Sequence, residues 1–127
     1  MTYRKAYQWL LNDSKETSVF DSIRSLLAWD QRTVIPNRGH AHRVEQTAVL
    51  TSLLHSRRTN PVIAEKLDVV EGSELVRDPL SPEAVNIREW RRAHDKAIRI
   101  PERLAVELAR AASEGQTCWQ QARPRND

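Results

Sequence analysis

Residues 26–55 read LLAWDQRTVIPNRGHAHRVEQTAVLTSLLH and contain, in order, the end of one helix, a turn and most of a second helix. Thr33-Val34-Ile35 is β-branched, and Pro36 biases Ile35 away from helical angles, so a helix arriving from the amino-terminal side ends between Asp30 and Thr33. Pro36-Asn37-Arg38-Gly39 is a turn by composition. Apolar residues then recur with helical period at Val44, Ala48, Leu50, Leu53 and Leu54, which predicts a helix over 40–56 with that stripe turned inward.

The same reading extends outward along the chain. Tyr3, Ala6, Tyr7 and Leu10 predict a helix over 2–11 that stops at Asn12-Asp13. A second begins near Asp13 or Ser14 and carries Val19, Phe20, Ile23, Leu26 and Leu27 as its core face. Asn60 before Pro61 is a cap followed by proline at the first helical position, and it opens a short helix through Leu67. Residues 71–80 form an acidic loop. Ser81-Pro82 repeats the start signal for a fifth helix, with Ala84, Ile87, Trp90, His94 and Ala97 or Ile98 in register. Pro101 interrupts that pattern. A sixth helix over 101–122 presents Leu104, Leu108, Ala111, Ala112, Gly115 and Trp119, a face of small residues open to a close neighbour. The expectation is an all-α fold, a compact array of about six helices forming a single helical domain over 1–127.

Composition agrees with this class. The 127 residues are 39% hydrophobic and hold only three glycines, which argues against disorder and against a turn-dense sheet protein. The formal charge is +3, but the signs are mixed. Residues 61–83 are acidic, and Arg88, Arg91, Arg92, Lys96 and Arg99 form a basic run read as a solvated face rather than a nucleic-acid surface. The one cysteine, Cys118, makes no internal disulfide, and its surroundings point to buried or half-buried packing. A reducing, cytoplasmic setting follows. Trp9-Leu10-Leu11 is far too short for a signal core or a membrane span, so no membrane association is expected. The isolated glycines cannot build a phosphate loop, and there is no internal repeat.

Particular residues carry a resemblance. Trp29-Asp30-Gln31 with Thr33, Pro36, Arg43, Glu45-Gln46 and Leu50 resembles the amino-terminal signature of the carboxypeptidase Taq family of zinc metallocarboxypeptidases. Asn86-Ile87-Arg88, Arg91-Arg92, Ile100-Pro101, Leu104, Ser113-Glu114 and Trp119 continue the resemblance in order and spacing. It implies the amino-terminal part of such an enzyme only, whose helices form the wall or lid of a substrate cleft while metal and catalysis reside in the later part. Such a peptidase uses two histidines one helical turn apart with a glutamate between them, H-E-x-x-H. None of the four histidines, His40, His42, His55 and His94, stands at that spacing or beside a glutamate. No catalytic, metal or cofactor residue is therefore expected in this chain, and zinc is expected only in the family it resembles. His40 and His42 read as a solvated helix start, His55 as a helix-end residue, and His94 as a core or boundary histidine with one hydrogen-bond partner.

The polar helix corner is the one candidate site: Trp29, Asp30, Arg32, Thr33 and Arg43, as cleft or helix-corner residues. Asp30 can receive Arg43 or a turn amide, Thr33 can bond nearby backbone, and Trp29 can pack under the turn. The functional expectation is a non-catalytic, truncated relative of the peptidase, acting as a self-associating or interaction module. Its partner would be a second copy or a complementary carboxypeptidase part. The alternative is the amino-terminal piece of a split metallocarboxypeptidase that removes carboxy-terminal amino acids from peptides once a zinc-bearing part joins it.

Overall fold

A computed structural model describes residues 2–125. The chain forms α1 (Tyr3–Thr33), α2 (His40–Arg58), α3 (Pro61–Glu71), α4 (Pro82–Ile98) and α5 (Glu102–Arg125), with 3-10 turns at Asn37–Gly39 and Glu74–Val76. No strand occurs among the described residues, so the all-α expectation holds. Among them, no helix is long and apolar enough to cross a membrane.

Among the described residues the α-helices number five rather than six, because the two segments expected on either side of Asn12-Asp13 are one continuous helix. Asn and Asp interrupt helices when their side chains compete for backbone groups, and here both have other partners. Asn12 Oδ1 accepts from Gln8 Nε2 at 2.9 Å, one turn back. Asp13 Oδ1 accepts from Arg57 Nη2 at 3.0 Å. The residual propensity cost, at most about 0.7 kcal/mol each, is small against the burial that the helix gains. Similarly α3 runs past Leu67 to Glu71, which brings Val70 into the interior.

The start signals act as expected. Asn60 Oδ1 accepts from Val62 N at 3.0 Å and Ser81 Oγ accepts from Ala84 N at 3.1 Å. Each cap is worth about 1 kcal/mol.

The chain divides into two compact units, Met1–Ser18 with Ser56–Ile100, and Val19–His55 with Pro101–Asp127. The first has an ordinary apolar core of Ala6, Leu10, Ile63, Leu67, Val70 and Ile87. Tyr7 and Trp90 pack beside it with ring centroids 5.3 Å apart and planes tilted by 48°, and Asn86 Nδ2 donates to the Tyr7 hydroxyl at 2.9 Å. His94 is buried, with Nδ1 2.9 Å from the Arg58 carbonyl. A carbonyl only accepts, so Nδ1 carries the proton, and His94 is a core histidine with one partner as expected. The basic run on α4 is largely engaged: Arg91 reaches Asp68 at 2.7 Å and also Glu71, and Arg92 lies 3.4 Å from Glu89. The acidic and basic stretches thus answer each other.

Arg57 gathers Asp13, Glu16 and Thr17 at 3.0–3.2 Å. Burial pushes the Asp13 carboxyl above its ordinary range, outweighing the opposing pull of Arg57, and Glu16 adds to the rise. In the folded chain Asp13 therefore holds its proton to higher pH than in the unfolded chain, and its contribution to stability grows as pH falls through the interval just above its ordinary pKa of 3.8. Urea midpoints of the wild type should rise relative to Asp13→Asn as pH falls from 7 into that interval. A difference that stays constant or moves the other way would refute the assignment.

Candidate functional site at the helix corner

The second unit is built differently from the first. Its buried residues are Gln31, Val44, Ala48, Thr51, Leu54 and Ser113, half of them polar. The expected core face of α1 is mostly turned outward: Val19, Ile23 and Leu26 are exposed, whereas Phe20 and Leu27 are half-buried. On α2, Val44, Ala48 and Leu54 are buried and Leu50 half-buried, but Leu53 is exposed. The reversal is fullest on α5. Leu104, Leu108, Ala111, Ala112, Gly115 and Trp119 all face solvent, and its fully buried residue is Ser113. Cys118 shares that outward side and is exposed, not packed as expected. The apolar periodicity is present, but on α1 and α5 it marks mainly the outward side, and half of what this unit buries is polar.

The corner between α1 and α2 is closed by Arg43, on the first turn of α2. Its Nη2 pairs with Asp30 Oδ2 at 2.8 Å, its Nη1 donates to the Leu27 carbonyl at 2.8 Å, and its Nε donates to Gln46 Oε1 at 2.9 Å. One guanidinium thus ties the last turns of α1 to α2, with most of its donors used. The Thr33 hydroxyl donates to the Trp29 carbonyl at 2.8 Å, the local backbone bond expected of it. Gly39 permits the turn to close, because a Cβ there would stand 3.0 Å from Ile35 Cγ1. Trp29 does not pack under the turn. It is exposed, as are Leu26 and Arg32, each three residues away along α1.

Gln31, between them in the expected polar run, has no individual role in the sequence expectation, yet it is the centre of the unit. It is buried, and its Nε2 donates to the Ser113 carbonyl at 2.9 Å and to Thr117 Oγ1 at 3.2 Å. Its Oε1 accepts from the Ser113 hydroxyl at 3.1 Å, and its own carbonyl accepts from Gln120 Nε2 at 2.9 Å. Thr117 Oγ1 also lies 3.2 Å from His40 Nδ1, so His40 is bonded and half-buried rather than a solvated start residue. The available signal is spacing: Arg24, Leu27 and Gln31 share one helix face, but a polar residue on such a face is not marked as internal by hydropathy.

Among the described residues, no three of His, Cys, Asp and Glu stand close enough to hold a metal ion. These side chains do not fit a zinc site. The arrangement is a braced corner over a satisfied polar cluster.

Comparison with known proteins adds ancestry. The family model described as carboxypeptidase Taq (M32) metallopeptidase matches residues 10–127. The chain is 58% identical over 127 residues to thermostable carboxypeptidase 1 of Thermus thermophilus, a match that covers 100% of this chain and 25% of that protein. It is 27% identical over 128 residues to carboxypeptidase 1 of Bacillus subtilis, covering 99% of this chain and 24% of that one. The chain therefore spans about a quarter of the length of the curated relatives it matches.

Proposed function

The chain belongs to the carboxypeptidase Taq (M32) metallopeptidase family, and from that premise we propose that these residues act as a binding module of the family without peptidase activity of their own. The observation that carries this reading is the outward apolar surface of the second unit. Leu26 is 62% exposed, Trp29 53%, Leu108 59% and Trp119 54%, with Val19, Ile23 and Leu104 exposed beside them in sequence register. Scattered apolar residues are ordinary on a surface, but helix stripes of this size favour association. The occupant we favour is a second copy of the chain.

Sedimentation velocity over a concentration series tests this reading. The wild-type chain is expected to sediment as a dimer or larger at tens of micromolar, and the double variant Leu26→Glu, Leu108→Glu as a monomer with an unchanged helical circular-dichroism spectrum. A strictly monomeric wild type would remove self-association.

The quarter-length match favours one alternative. In that reading the same apolar stripes are covered by a separate zinc-bearing segment, and the two together remove carboxy-terminal amino acids from peptides. Co-expression of this chain with a segment that carries H-E-x-x-H should then yield a stable complex whose carboxypeptidase activity depends on both. Activity of that segment alone, unchanged by this chain, would count against it.

A further inference from the structure

A groove of about 350 Å³ opens beside the buried corner, within the second unit. Its size is at the lower end of the range of small-molecule sites, about 300–1,000 Å³. Four hydroxyl residues line it, Ser25, Thr47, Thr51 and Ser113, with the amides of Gln31 and Gln116, of which Ser113 and Gln31 are already bonded to each other. Two guanidiniums join them, Arg24 and Arg32, and no carboxylate belongs to the lining.

The charges are not equivalent. Arg24 is already balanced by Asp21 at 2.6 Å, one turn back on α1. Arg32 makes neither an ion pair nor a hydrogen bond among the described residues, which leaves one uncompensated positive charge at the groove.

Thr51 supplies an independent observation. It is only 7% exposed, and its Oγ1 is buried without a hydrogen-bond partner. Buried hydroxyls are normally satisfied, and a helical threonine commonly bonds the carbonyl one turn back. Two side-chain rotamers are open to threonine in a helix, and rotation between them exchanges hydroxyl and methyl. An unspent hydroxyl in the wall of a groove with a free guanidinium is a pair of donors with no acceptor.

We propose that this groove binds a small monoanionic carboxylate, with Arg32 as the charge partner and the Thr51 and Thr47 hydroxyls as donors to its oxygens. A planar guanidinium matches carboxylate geometry. The charge count selects this class over phosphate, since one free guanidinium compensates a single negative charge and a phosphate dianion would retain the second. None of Leu26, Trp29, Leu108 and Trp119, the residues proposed for association, lines the groove.

Amide proton–nitrogen correlation spectra of the full chain test it, with N-acetyl-alanine as probe, its neutral amide as control and inorganic phosphate as competitor. The carboxylate should shift resonances of Thr47, Thr51, Ser113 and Gln116 saturably, and the neutral amide should not. Arg32→Gln, an exposed change that leaves the fold alone, should weaken binding about tenfold or more. Thr51→Val should weaken it similarly while its melting temperature stays equal or rises, because the variant loses a hydroxyl that has no partner in the free chain. Should Thr51→Val fail to fold, Thr51→Ser, which keeps the hydroxyl, must bind within a few-fold of wild type. No shifts with the carboxylate, equal shifts with the amide, tighter binding of phosphate, or wild-type affinity in Arg32→Gln would each overturn the proposal.

Discussion

Leu67→Ala should lower the unfolding free energy of the chain by about 3–4 kcal/mol, a larger loss than any other single substitution predicted for this protein. Leu67 is fully buried in the apolar core of the first unit, among Ala6, Leu10, Ile63, Val70 and Ile87. Its removal costs the transfer free energy of the lost carbons and leaves a cavity that three helices must collapse to fill. The alanine and valine around it are too short to reach across. Small domains have stabilities of about 5–15 kcal/mol, so the variant is expected to unfold at a much lower urea concentration and to lose amide protection first in α3 and α4. A loss under about 1 kcal/mol would mean that this core is not the chief source of stability. Leu80→Ala is the internal control, since Leu80 is 85% exposed and lies outside the apolar stripes, and it should change stability by less than about 0.5 kcal/mol.

Gln31→Leu should cost about 2 kcal/mol, although it replaces a polar side chain with an apolar one of similar size at a buried position. The partners explain the sign. Leucine leaves the Ser113 hydroxyl without its Gln31 acceptor and removes the amide donor to the Ser113 carbonyl and Thr117 Oγ1. Buried groups deprived of partners cost about 1–3 kcal/mol, more than the apolar gain at this site. The double variant Gln31→Leu, Ser113→Ala removes both sides of one bond and should recover part of the loss, which a double-mutant cycle in urea measures. If Gln31→Leu is neutral or stabilising, the polar cluster contributes nothing to folding, and its presence in the interior calls for a binding role instead.

The two variants probe features of unequal legibility. The Leu67 core is largely readable, because Ile87 and Trp90 on α4 and Ala6 and Leu10 on α1 follow ordinary helical stripes with the apolar side inward. The helix starts at Asn60-Pro61 and Ser81-Pro82 are readable because a cap acts over two or three residues. The break expected at Asn12-Asp13 does not form for the converse reason: its side chains are satisfied by Gln8 and by Arg57, the second 44 residues away. The corner itself is legible as polar and braced, including the Asp30–Arg43 pair. Its internal member, Gln31, is not, since hydropathy gives no reason to place a glutamine inside while Leu26 and Trp29 stay out.

What the amino-acid sequence determined by itself was helical class, most helix boundaries and family membership, the last shown by the match over residues 10–127. These follow from local rules, since helix bonds, caps and proline breaks reach only a few residues along the chain. Only the tertiary structure decided which face of each helix is inward, which charges pair and where a hydroxyl is left over at the groove. Burial is a relation between distant segments: Gln31 is internal because Ser113, Thr117 and Gln120 meet it there, and no window of sequence around Trp29-Asp30-Gln31 contains them.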